Sequence, residues 1–318
     1  MLAGTRGRSR ALLGTASAIA LATGLGLAPT SARAQVQTIS VSTSFFQVSV
    51  DADIGATGFD IVAPAVVSAS NSTPAFWVDV PISEGVTVSA GGAIDSDTLN
   101  ENATALLVGA DTDGGVENGG TISASALTDT NGGVEARAVH VAPGVTVTGG
   151  VVNNEGGSIT AYAGPGEFST GNDWSAQGIH LEEATVEDGI ENAGFIGATA
   201  GEIVVLDGND SFILDARARG IEADDSEIEG DVVNLGSIEA SATAFIDFGT
   251  ELIGGGSDSI SPYTDTGASA VGVDLEGELD GAFTNQGSVM ASALAGSDSE
   301  TSSIGPGNVS VAVNQYAG

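Results

Sequence analysis

Residues 178–200 read GIHLEEATVEDGIENAGFIGATA, and the fold follows from this stretch. Three short segments in it alternate apolar or small residues with polar ones, and they break at residues 182–184 and again at Ala193 and Gly194. Alternation at period two belongs to strands, whereas a helix repeats its apolar face about every 3.6 residues. The closing phrase, IENAGFIGATA from Ile190, has four relatives: VENGGTISASA from Val116, VVNNEGGSITAYA from Val151, VVNLGSIEASA from Val232 and FTNQGSVMASA from Phe283. Their asparagines, Asn118, Asn153, Asn192, Asn234 and Asn285, stand 35, 39, 42 and 51 residues apart. A fixed phrase at an uneven period describes constant rungs joined by connections of variable length.

The opening phrase recurs too, as AVHV from Ala138, GIHL from Gly178, GIEA from Gly220 and GVDL from Gly272, with a weaker copy, WVDV, from Trp77. Together the phrases make a unit of 23 residues at 178–200 and 220–242, 22 at 272–293 and 26 at 138–163, a length suited to one three-strand turn of a parallel β-helix. The intervening stretches, 164–177, 201–219 and 243–271, grow from 14 to 19 to 29 residues and are rich in Gly, Ser, Asp and Pro. They read as insertions that leave the rung at one point and project from one edge.

Within the rung, alternation points Ile179, Leu181, Val186, Ile190, Asn192, Ile196, Ala198 and Ala200 inward. Ile221, Ala223, Ile228, Val232, Asn234, Ile238, Ala240 and Ala242 should stack on them one layer on, at about 4.8 Å. The expected fold is therefore all-β, a parallel β-helix of about seven rungs with loop insertions on one edge. The asparagine is the one polar member of the inner set. A buried amide without partners costs about 1–3 kcal/mol, so the column should form a structural ladder of stacked amides. Each asparagine starts a turn whose following glycine is expected at positive φ.

The front of the chain is of another kind. Arg6, Arg8 and Arg10 precede an apolar run over 11–28, and Ala32, Arg33 and Ala34 supply a small-x-small cleavage box before Gln35. Residues 1–34 thus read as a secretory signal peptide. Residues 35–75 lack the phrase but alternate, as in TISVSTSFFQVSV from Thr38, and are expected to cap the open end of a stack that occupies 76–318.

Without the signal segment the chain keeps Arg137, Arg217 and Arg219, no lysine, and all 42 acidic residues, a net charge of −39. Such a field repels nucleic acid and anionic lipid and suits water, Ca²⁺ or a basic partner. The absence of cysteine excludes disulfides, thiolate metal sites and cysteine nucleophiles, and the absence of lysine excludes Schiff-base chemistry.

The signal segment, the V-x-N-x-G-x-I-x-A-x-A phrases, the acidity and the lack of cysteine together resemble the passenger region of a bacterial type V autotransporter, of the surface adhesin-like kind found in alphaproteobacteria. The resemblance covers roughly Phe76 to the end. It implies a right-handed helix, in line with the general rule for parallel crossovers. It also implies a secreted or cell-surface adhesion scaffold, non-enzymatic and without a cofactor, whose variable loops contact a host or environmental glycan or protein. Family members carry a C-terminal β-barrel that ties them to the outer membrane. Here SVAVNQ from Ser310 aligns with AVGVDL from Ala270 and opens another rung just before Gly318, so the chain reads as truncated within a rung.

The rival reading is a β-helical polysaccharide hydrolase or lyase. Hydrolases of that architecture would show Asn-Thr-Asp, Asp-Asp, Gly-His-Gly and Arg-x-Lys, of which only Asp224 and Asp225 occur, and a lyase would draw on Arg137, Arg217 and Arg219. Two constellations bear on metal ions. His140 and His180 share a slot in successive rungs, on the outer face, with Glu222 and Asp274 continuing the column. Two imidazoles and a carboxylate there would suit Zn²⁺, and a merely solvated face is the alternative. LDGNDSFI from Leu206 resembles one unit of the Gly-Asp-rich Ca²⁺ nonapeptide, with Asp207, Asn209 and Asp210 as ligands, or else a hairpin turning on Asp207-Gly208. Trp77, Trp174 and Tyr162 are candidates for an exposed carbohydrate platform, with Trp77 also placed to cap the first rung.

Overall fold

The computed structural model describes residues 35–40, 43–44, 56–129, 132–166, 173–205, 212–247, 264–297 and 308–315. They fall in one compact unit, Ala34–Gly318. Residues 1–34, which the sequence suggests are a signal segment, lie outside the described residues.

Every paired strand among them runs parallel to its neighbours, in three sheets. The first sheet stacks β1 (Gln35–Ile39), β3 (Ala56–Ile61), β6 (Gly85–Val88), β9 (Val116–Asn118), β13 (Val151–Asn153), β17 (Ile190–Asn192), β20 (Val232–Asn234) and β23 (Phe283–Asn285). The second stacks β2 (Thr43–Ser44), β4 (Val66–Ala69), β7 (Ala93–Leu99), β10 (Thr121–Thr128), β14 (Ser158–Pro165), β18 (Phe195–Val205), β21 (Ser237–Asp247) and β24 (Ser288–Ser297). The third runs through β5 (Phe76–Val78), β8 (Ala103–Val108), β11 (Val134–Val141), β15 (Asp173–Glu182), β19 (Phe212–Glu229), β22 (Thr264–Asp280) and β25 (Asn308–Gln315). Short β12 (Thr146–Val147) and β16 (Thr185–Glu187) extend it beside the far end of β19. Visiting the three sheets in turn, layer after layer, gives a parallel β-helix. The eight strands of the first two sheets make one layer more than the repeated phrase suggests, because β1 to β4 pair in the same sheets as everything after them.

Register follows the phrase. Ile179 pairs with Ile221, Leu181 with Ala223, Val186 with Ile228, Ile190 with Val232, Asn192 with Asn234, Ile196 with Ile238, Ala198 with Ala240 and Ala200 with Ala242. All sixteen are buried. A single layer cannot cover its own apolar face, so the core exists only through this stacking.

At the corner between the first and second sheets the asparagines stand in a continuous ladder. Nδ2 of Asn118 donates to Oδ1 of Asn153 at 2.8 Å, Asn153 to Asn192 at 2.8 Å, Asn192 to Asn234 at 2.8 Å and Asn234 to Asn285 at 2.7 Å. The second hydrogen of each amide goes to the next layer's turn, at the carbonyls of Ser158, Phe195, Ser237 and Ser288. Of the glycines after the ladder, Gly156 is at positive φ (84°) as expected, whereas Gly120, Gly157, Gly194, Gly236 and Gly287 are not. They are needed for close approach, since a Cβ on Gly236 would stand 2.0 Å from the Gly194 carbonyl oxygen, and one on Gly194 2.3 Å from that of Gly157.

Much of what reads as insertion is strand. β18 continues to Val205 and β21 to Asp247, while β15, β19 and β22 begin well before the phrases at Gly178, Gly220 and Gly272. Val204, Ala244, Ile246 and Leu214 are buried along these extensions. The remaining stretches, 167–172, 206–211, 248–263 and 298–307, each fall in sequence between a strand of the second sheet and a strand of the third, and they lie outside the described residues.

The extra strand length comes with a change of phase. In β15 the inward residues are Trp174 and Ala176, then Gly178 and Ile179 in succession, then Leu181, and the ladder skips Gly178. The same step falls at Ala138, Gly220 and Gly272. In the later layers there is no space for a larger residue: a Cβ on Gly220 would meet the Gly272 oxygen and Ile238 Cγ2, both at 2.4 Å, although the earlier layer carries Ala138.

Candidate functional site

The phase step decides what the outer face of the third sheet displays. Before it the outward columns are Glu135, Ser175, Arg217, Ser269 and then Arg137, Gln177, Arg219, Val271; after it comes His140, His180, Glu222, Asp274. All three arginines beyond residue 34 and both histidines of the chain therefore gather on one face of a strongly acidic molecule.

The histidine column stacks as the aligned phrases imply, with ring centroids 5.1 Å apart and planes 15° from parallel. Its surroundings differ from a solvated face: His140 is 9 % exposed, His180 4 % and Asp274 5 %. Each column stands shoulder to shoulder with the long side chains of the arginine and glutamine column, and their stems displace water. Burial, first, holds both imidazoles below their usual pKa. The charge of Arg137 adds to this for each ring, and His140 and Arg219 add for His180, which falls to about 3. Glu182 pulls the other way on His140 without prevailing, so the neutral ring donates its Nε2–H to Glu182 Oε2 at 3.0 Å. Nδ1 of His180 is buried without a partner.

Glu222 is not the carboxylate that joins the histidines. It accepts from Gln177 Nε2 at 2.7 Å and pairs with Arg219 at 3.1 Å, while burial, the largest influence on it, raises its pKa. The third member is Glu182, two residues after His180 on the same face of β15. The ligand atoms of His140, His180 and Glu182 all lie within 4.8 Å of one another. Arg137 is held by Glu135 at 2.8 Å and by Gln177, Arg219 also reaches Asp274 at 3.4 Å, and Arg217 pairs with Asp215. Beside this network lies an open groove of about 440 Å³ bordered by Glu135, Asp173, Ser175, Gln177, Arg217 and Arg219.

The remaining sequence candidates separate. Asp224 and Asp225 are exposed at a bulge of β19, with Asp225 at φ 45°. Asp207, Asn209 and Asp210 lie outside the described residues. The three aromatics share no platform. Trp174 is fully buried inside β15, Trp77 heads the histidine column from the edge strand β5, and Tyr162 lies on the outer face of the second sheet. There Tyr162 and Phe195, with Ser123, Thr160, Thr199 and Ser241, line a second trough of about 320 Å³. The rings cover glycine backbone, since a Cβ on Gly197 would stand 2.7 Å from the Phe195 ring and one on Gly164 2.5 Å from the Tyr162 hydroxyl. Burial, then Glu202, raises the Tyr162 pKa.

Fold and site together describe an acidic parallel β-helix with one ionisable face and one aromatic, hydroxyl-lined face. No family model, no curated protein and no solved structure matches the chain.

Proposed function

We propose that this chain is an exported adhesion scaffold, passenger-like in design, that engages a surface glycan or protein through segments displayed on a constant β-helical spine. The observation that carries this reading is that the widest variation in the length between consecutive strands falls between the second sheet and the third. An invariant stack with one variable corner lets contact segments change without disturbing the core. The trough around Tyr162 and Phe195 adds a surface suited to sugars, because aromatic rings accept the apolar face of a pyranose while flanking hydroxyls and carboxylates hydrogen-bond its rim.

The test is binding of the full chain to a glycan and matrix-protein array, with and without Ca²⁺. Retention that weakens in Tyr162→Ala or Phe195→Ala, or on shortening residues 248–263, supports the scaffold. Absence of any retained ligand argues against it.

A second reading, a polysaccharide lyase or hydrolase, is favoured by the groove beside Arg217 and Arg219. A guanidinium there would pair with a uronate carboxylate. New unsaturated products or reducing ends in the array supernatants would establish it and displace the non-enzymatic reading.

A further inference from the structure

The histidine column has a property that an adhesion scaffold does not require. We propose that His140, His180 and Glu182 form a binding site for one divalent transition-metal ion of the Zn²⁺ class, held by two imidazole nitrogens and a carboxylate oxygen with a fourth position open.

Backbone placement comes first. His140 and His180 are directly paired across β11 and β15, and His180 and Glu182 are alternate residues on one strand face. Ladders on both sides fix all three Cα atoms, so a site built on them is pre-positioned rather than assembled from loops. Zn²⁺ bonds of about 2.0–2.2 Å set tetrahedral ligand atoms roughly 3.3 Å apart. His140 Nε2 and Glu182 Oε2 are already 3.0 Å apart, and all three ligand atoms lie within 4.8 Å of one another.

Chemistry comes next. A buried imidazole nitrogen without a hydrogen-bond partner costs free energy, and His180 Nδ1 is such an atom on a residue 96 % buried. Coordination of the ring gives that residue a role its hydrogen bonding does not. A metal ion would take the place of the Nε2 proton that His140 shares with Glu182, leaving the ring's other nitrogen protonated. Two nitrogens and one oxygen select Zn²⁺, Ni²⁺ or Cu²⁺ over the hard cations Ca²⁺ and Mg²⁺, which take oxygen. The charges that face the site are mixed. Arg137 and Arg219 oppose a cation, but Arg137 is bound to Glu135 and Arg219 to Glu222 and Asp274, and the whole chain beyond the signal segment carries −39. The net charge of the chain concentrates cations around the molecule, while Arg137 and Arg219 oppose one locally and Glu182 favours it.

The test uses the full chain, stripped with a chelator and returned to buffer containing excess Ca²⁺ and Mg²⁺ so that the acidic surface is occupied. Zn²⁺ is then titrated calorimetrically, and Co²⁺ is added separately for its visible spectrum. One saturable equivalent is expected, with a Co²⁺ spectrum of low-coordinate form, and about a tenfold or greater loss of affinity in each of His140→Asn, His180→Asn and Glu182→Gln. Glu182 is partly exposed, so its variant keeps the test decisive even where a histidine variant disturbs packing. No saturable Zn²⁺ binding in the presence of Ca²⁺ and Mg²⁺ overturns the proposal. So does binding that Glu182→Gln and both histidine variants leave unchanged, because the ion then belongs to the acidic surface.

Discussion

Replacing one rung of the amide ladder separates its contribution from that of general packing. In Asn192→Ala, Oδ1 of Asn234 loses the Asn192 Nδ2 that donates to it, the Ser237 carbonyl loses its side-chain donor, and Asn153 Nδ2 keeps only Phe195 O. The site is buried, so the orphaned acceptor costs about 1–3 kcal/mol and the lost bond and small void add about 1 more, giving about 2–4 kcal/mol. Asn285 ends the ladder and is exposed, and its removal leaves Asn234 Nδ2 bonded to Ser288 O at 3.0 Å. Asn285→Ala should cost under about 1 kcal/mol. Asn192→Asp is the sharper probe. An ionised carboxylate would set acceptor against acceptor at Asn234, so the variant should be the least stable at neutral pH. It should recover in acid, where protonation restores a donor. Urea unfolding of the full chain followed by far-UV circular dichroism reads all three. Equal costs for Asn192→Ala and Asn285→Ala, or a pH-independent Asn192→Asp, would refute the ladder as a source of stability.

Further outcomes follow from the same geometry. Because His180 is held near pKa 3 against about 6.5 when unfolded, the unfolded chain takes up the proton first; stability is full above about pH 6.5 and falls as pH drops toward 3. Between pH 7 and 5, with a chelator present, His180 should account for about 2 kcal/mol of lost stability, seen as the difference in slope between the wild-type chain and His180→Asn, with Arg137, Arg219, His140, Glu182 and Glu222 unchanged in both. Gly220→Ala should cost about 1–3 kcal/mol by overpacking against Gly272 O and Ile238, and a neutral result in the same urea assay would place the strand elsewhere. Trp174→Phe should be close to neutral or stabilising, since the indole N–H is buried without a partner, whereas Trp174→Ala should cost about 3–5 kcal/mol; thermal melting of the pair decides.

The inner face was readable because Ile179, Ile190 and Ile196 obey period two and their counterparts Ile221, Val232 and Ile238 repeat it at a fixed offset. Where the period breaks, reading failed. Two successive inward residues, Gly220 and Ile221, look like the start of a strand, so the stretch before them passed for an insertion. The repeated Ala-x-Ala or Ala-x-Gly at Ala136, Ala176, Ala218 and Ala270 was the available signal. The burial of Trp174 was missed for the same reason. The histidine column follows from phrase alignment alone, but Glu182 falls where the alternation breaks, and alignment points to Glu222 because it reports the stacked neighbour and not the diagonal one. Positive φ is met at Gly156 but not at Gly194, Gly236 or Gly287, whose constraint is a carbonyl in the preceding layer, which no local pattern records.

The asparagine corner also bears on how such a chain changes over generations. Strands of the first sheet from β9 onward are three residues long and end on the ladder asparagine, each offering one amide donor upward and one oxygen downward. Any layer so built can follow any other. Gain, loss or exchange of a whole repeat then leaves the joint intact, and the number of layers becomes a quantity that recombination can adjust without inventing a new interface.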